Sequence, residues 1–95
     1  MKNVDVDLDG KTVTGVEISL PKAPLVLAYS KNGFVMCGYL NLGTAEKLGV
    51  AAALVRGVST VNDLLEAKVE GFTEAAAAKG VKSGMTGRDA LKKLF

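Results

Sequence analysis

Hydrophobic and polar residues alternate at the start of this chain. Val4, Val6 and Leu8 interleave with Asp5, Asp7 and Asp9, the period-two signature of a strand with one apolar and one acidic face. Asp9-Gly10 then suits a two-residue hairpin turn. The next strand runs from about Thr12 to Leu20, with Val16, Ile18 and Leu20 on one face. Gly15 interrupts it and Val13 is out of phase, so a bulge is expected near Gly15. Pro21 and Pro24 keep the following connection out of any helix. A third strand starts at Leu25 to Ala28, and Ser30 to Gly33 turns the chain, with Asn32-Gly33 favouring positive φ. The run Phe34, Val35, Met36, Cys37, Gly38, Tyr39, Leu40 then returns antiparallel. It carries no charge, so as a strand it is apolar on both faces and belongs in the middle of a sheet, with cover above and below.

The second half changes period. Thr44 to Leu48 predicts a short helix stopped by Gly49. Val50 to Val55 reads as a strand, because Gly49 and Gly57 bound a short apolar run. Ser59 or Thr60 caps a helix with Val61, Leu64 and Leu65 inward. Phe72, Ala75 and Ala76 repeat that spacing in a helix ending at Gly80. Thr86 opens a last helix with Asp89 at its third position, a capping-box arrangement, and Leu91, Leu94 and Phe95 as its apolar stripe. The expected class is α+β: an N-terminal antiparallel β-meander, then short helices and one further strand, the helices forming a single layer on the sheet. Residues 1–95 make one domain, β-rich and oligomerising over 1–40 and mainly helical over 41–95.

Composition sharpens this picture. Hydrophobic residues make up 48% of the 95, high for a chain of a size that buries roughly 60–70% of its unfolded surface. One layer of helices covers one sheet face, so the other should meet another subunit. No apolar run approaches the ~20 residues needed to span a bilayer. Met1 to Gly10 is short and charged, with no apolar core of a secretion signal. With one cysteine and no such signal, the expected compartment is the reducing cytoplasm. The net charge of +2 is too small to argue for nucleic acid, and no arginine–aromatic cluster of the kind that binds single strands is present. The basic character of residues 79–95 (Lys79, Lys82, Arg88, Lys92 and Lys93 against Asp89) suits a solvated helix face.

The chain resembles the YunC-like family, a bacterial and archaeal domain of unknown function. The resemblance runs over nearly the whole length. It rests on Leu20-Pro21-Lys22, on Met36-Cys37-Gly38 followed by Leu40, and on Gly57-Val58 followed by Thr60 and Leu64-Leu65. The most specific segment is Gly84-Met85-Thr86-Gly87-Arg88 with Ala90-Leu91 after it. The resemblance implies a compact α+β domain whose N-terminal strands form a tetramer interface, and no established activity, cofactor or catalytic residue. This chain has Ser59 where some members carry arginine, so a ligand held by that arginine would not be shared.

Candidate chemistry is sparse. Cys37 is the only soft nucleophile. A reactive thiolate needs a nearby cation, helix N-terminus or histidine; the chain has no histidine, and apolar strand neighbours favour a buried structural cysteine. Gly84, Thr86, Gly87 and Arg88 form a second candidate, because N–H groups exposed at a helix start attract anions. Arg88 opposes the helix dipole there, which suits a partner carboxylate, a neighbouring subunit or an anionic ligand. Arg56 and Gly57, followed by Thr60, form a third anion candidate beside the ordinary reading of a tight strand-to-helix turn. No histidine and one cysteine leave no usual zinc or iron ligand set. Asp5, Asp7 and Asp9 would recur every ~6.7 Å along a strand, wide for one ion, and suit a solvated face or a guard against edge pairing. Glu17, Glu46, Glu66, Glu70 and Glu74 fall where exposed faces are expected, and no acid–base pair stands out.

These features point first to a cytoplasmic homo-oligomer, expected to be a homotetramer, with a small anion bound between subunits near Cys37 and the Gly84–Arg88 turn. No cofactor, metal, nucleic-acid or membrane partner is expected. The alternatives are a thiol-dependent enzyme with Cys37 as nucleophile and Arg88 or Arg56 holding an anion, and an adaptor docking through the basic C-terminal helix.

Overall fold

A computed structural model describes residues 2–95. Its centre is one six-stranded sheet in which every strand lies beside its neighbour in sequence. Strand β1 (Lys2–Leu8) pairs with β2 (Lys11–Ile18) around the predicted turn. Asp9 and Gly10 have φ of 54° and 89°, the pair of positive values that a type I′ hairpin requires. Strands β3 (Leu25–Ser30) and β4 (Gly33–Met36) complete the antiparallel meander. Helix α1 (Leu42–Leu48) then carries the chain over to β5 (Ala52–Leu54), which runs parallel to β4, and the two-residue β6 (Gly71–Phe72) closes the far edge.

Helices α2 (Val61–Glu66), α3 (Glu74–Ala78) and α4 (Gly87–Lys93) follow. Thr60, Thr73 and Thr86 cap them through their hydroxyls, each satisfying an N–H that a helix start leaves unpaired. Val61, Leu64, Ala76, Ala90, Leu91 and Leu94 pack onto Val6, Val13, Val26, Ala28, Val35 and Ala53 of the sheet. The class is α+β, and α2 to α4 form the layer on one face. Helix α1 stands apart. Its Leu42 lies against Gly71, whose strand partner Leu54 points to the opposite face.

Several local expectations are corrected. No bulge forms at Gly15, since the β1–β2 register runs unbroken from Lys2↔Glu17 to Leu8↔Lys11. The core face of β2 is Val13, Gly15 and Glu17, not Val16, Ile18 and Leu20. A Cβ on Gly15 would come within 2.6 Å of Val61, so the helix layer requires a glycine there. Gly33 is a strand residue rather than a positive-φ turn residue; its Cβ would meet the Ala51 carbonyl at 2.5 Å. β4 ends at Met36, four residues short of Leu40, because Leu40 N–H turns back to the Cys37 carbonyl (3.3 Å). Phe72 belongs to β6, not to the helix after it, and Phe95 is partly exposed while Ala90 takes its place in the stripe.

Candidate functional site

The strand ends at Ile18, Leu25, Met36 and Leu54 bring three predicted residues together. Cys37 is buried. Its N–H donates to the Val26 carbonyl (3.1 Å), and its Sγ accepts from the Val26 N–H (3.3 Å). Cys37 lines a recess of about 340 Å³ together with Pro24, Gly38, Tyr39, Gly57 and Val58. The Tyr39 hydroxyl donates to the Ala23 carbonyl (2.9 Å), strapping the 37–40 turn to the proline-rich connection. Arg56 reaches over Gly38, its Nη1 3.5 Å from where a Cβ would stand, and its Nε lies 3.5 Å from Glu70 Oε1. Cys37, Arg56 and Gly57 are therefore neighbours, as a shared site would need. The sulfur's hydrogen bond comes from an amide rather than from a cation.

The Gly84–Arg88 segment lies elsewhere and its groups are occupied. Gly84 N–H donates to the Val69 carbonyl (3.1 Å), Val69 N–H to Met85 (2.8 Å) and Gly87 N–H to Ala67 (2.8 Å). Thr86 Oγ1 accepts from the Asp89 N–H (3.2 Å). Of the three partners suited to Arg88, the fold supplies the carboxylate: Nη2 donates to Glu66 Oε1 (2.9 Å). Gly87 is buried where α4 crosses α2, and a Cβ there would run into the Leu64 carbonyl. Its role in the fold is close helix approach.

The three N-terminal aspartates separate. Asp5 and Asp7 share the sheet face away from α2 to α4, while Asp9 sits in the hairpin turn with Lys92 Nζ 2.9 Å from Oδ2. The Lys92 hydrogen bond, then its charge, hold the Asp9 carboxyl below the usual carboxylate range. Among the described residues no group of three His, Cys, Asp or Glu side chains could hold a metal ion. No helix of the described residues is long and apolar enough to cross a membrane.

The feature that local reading underspecifies is the second face of the sheet. Its cross-strand rows are Val16, Leu27, Met36, Leu54 and Thr14, Tyr29, Phe34, Ala52. Val16, Leu27 and Phe34 are only partly buried, and Tyr29 is 46% exposed. Against α1 the face deepens into an apolar groove of about 270 Å³, lined by Phe34, Met36, Leu40, Ala45, Leu48 and Val50, with Leu48 73% exposed at its lip. The signal was the two-sided apolarity of the third and fourth strands. The side the helices take follows from Gly15 and Gly33, which leave room for Val61 and Leu94, positions whose meaning is only spatial.

Comparison with known proteins shows the family and agrees with the fold. The family model described as domain of unknown function DUF1805 matches residues 36–94. The chain belongs to that family. The matched part begins at the end of β4 and takes in Cys37, the Gly38, Tyr39, Gly57 and Val58 side of the recess, and every helix. The chain is also 38% identical over 92 residues to the uncharacterized protein YunC of Bacillus subtilis, covering 93% of this chain and 91% of the relative. Its fold is similar to the crystal structure of a protein of unknown function, TA1206 from Thermoplasma acidophilum. That match has a TM-score of 0.93 and 34% identity over 99% of this chain and 92% of the other.

Proposed function

We propose that this DUF1805 protein is a cytoplasmic homo-oligomer assembled through the open face of its N-terminal meander, with the tetramer as its working form. The observation that supports it is the continuous apolar surface of β2, β3 and β4 that the helix layer leaves uncovered. Tyr29 and Leu48 alone leave bare on the order of 200 Å², and Val16, Ile18, Leu27 and Phe34 join them. Single exposed hydrophobes are ordinary, but a contiguous patch marks an interaction surface. The number four is what the YunC-like resemblance implies. The free, buried Cys37 suits a reducing compartment. The experiment is Leu27→Asp, which puts a charge at the centre of the open face and leaves the helix-side core intact. Wild-type protein should melt at a temperature that rises with its concentration, because dissociation and unfolding are linked. The variant should run as a folded single chain. A wild-type melting point independent of concentration, with the mass of one chain, would end this reading.

A second reading, thiol chemistry with Cys37 as nucleophile and an anion held by Arg56, has one observation in its favour: Cys37 and Gly57 line one recess, and Arg56 reaches over Gly38 beside it. It requires the native thiol to react with an alkylating reagent faster than a free thiol does. Arg88, paired with Glu66 away from this recess, takes no part in that reading.

A further inference from the structure

The open face is asymmetric, and its asymmetry bears on how two copies can meet. At one side lies β1, whose open-face residues Asp5 and Asp7 are exposed. The middle, β2 to β4, carries no charged side chain on this face. At the other side α1 rises from the sheet. Ala45 is the buried residue of α1 and Leu42 lies against Gly71, so these two mark its sheet side. Helical spacing then directs Leu48 and Thr44 toward the groove, and exposed Lys47 away from the sheet, toward whatever packs on it.

A second copy laid on this face must accommodate both features. Sheets pack about 10 Å apart, which is also about the diameter of a helix, so each α1 occupies the layer where the partner's sheet would stand. A two-fold axis running across the strands brings α1 onto α1 and the Asp5–Asp7 stripe onto its own copy. That arrangement combines a helix collision with like charges brought together, which costs affinity. A two-fold axis running along the strands does the opposite. Each α1 comes beside the other copy's β1, Lys47 approaches Asp5 and Asp7, and the strands pack aligned as in a sandwich. It also flanks β1, an edge strand whose outer hydrogen-bonding groups the single chain leaves unpaired.

Resting on the oligomeric reading above, we infer that two copies pair open face to open face about a two-fold parallel to the strands, with α1 of each copy set against the acidic β1 of the other. The test is cross-linking of differently tagged Asp7→Cys and Lys47→Cys chains, co-expressed and treated with a short bis-maleimide. The wild-type chain, whose one thiol is buried, is the blank. The expected product is the mixed 7–47 species, absent when either variant is expressed alone. Cross-links of 7 to 7 or 47 to 47 without the mixed product overturn the inferred axis while leaving assembly intact. No cross-link in a sample that is oligomeric by mass overturns it too. A wild-type chain that is monomeric removes the assembly reading and this inference with it.

Discussion

Replacing Gly87 by alanine separates a packing role from an anion-binding one. The added methyl would meet the Leu64 carbonyl, with Leu65 Cα at 3.5 Å behind it. These are backbone atoms of α2 and cannot rotate aside as a side chain could. The same glycine's N–H donates to Ala67 at 2.8 Å, so α4 cannot draw back without breaking that bond. Overpacking a filled interior costs about 1–3 kcal/mol, and a clash with main chain belongs in the upper half of that range. The gain in helix propensity offsets at most about 1 kcal/mol. The expected net loss is about 2 kcal/mol, which for a domain of this size lowers Tm by about 8–16 °C. Thermal unfolding followed by circular dichroism at one fixed protein concentration measures it. Gly84→Ala is the comparison: its φ is 88° and its Cβ would meet nothing within 4 Å, so it should cost only about 1 kcal/mol of backbone strain. A Gly87→Ala protein melting within about 2 °C of wild type would refute the helix-crossing argument.

Further outcomes follow from the same geometry. Glu17 Oε2 accepts from the Val61 N–H at 2.8 Å, and Glu17→Ala should cost about 1 kcal/mol by leaving the α2 start without that acceptor, read from chemical denaturation. Asp9 is held below the usual carboxylate range by the Lys92 hydrogen bond and charge. Its folded-state value is thus depressed, so its contribution to stability is present at neutral pH and lost as pH falls through the folded value; in Lys92→Met, an NMR titration should find the Asp9 carboxyl back near its ordinary range. Native Cys37 should react with an aromatic disulfide reagent only as fast as the protein opens, and fully on denaturation; fast native reaction would favour the thiol reading instead.

Much of this architecture is legible in the chain itself. Asp9-Gly10, the proline-bracketed connection and the period-two run of β1 place the meander, and Thr60 and Thr86 mark helix starts because a hydroxyl there satisfies an otherwise unpaired N–H. Where reading along the chain fails, the cause is tertiary. Val16 and Ile18 look inward by hydrophobicity, yet Gly15 and Glu17 take the core side because α2 needs Gly15's missing side chain and Glu17's acceptor. The parallel pairing of β4 with β5 leaves no local signature beyond a short apolar run. For the candidate site, proximity of Cys37 to Arg56 and Gly57 depends on strand order, and which partner Arg88 takes is not legible locally, because Glu66 is 22 residues away in sequence. The uncovered face was implied by strands apolar on both sides, but its boundary, from Asp5 and Asp7 to Leu48, needed the register.

Native mass spectrometry of gently purified wild-type protein asks whether the meander's open face is an assembly surface. The open face closed by a two-fold gives twice the 9.8 kDa chain, and the proposed tetramer, two such pairs, gives four times it; any stoichiometric extra mass reports a ligand held in the assembly. A single 9.8 kDa species at micromolar concentration would contradict assembly.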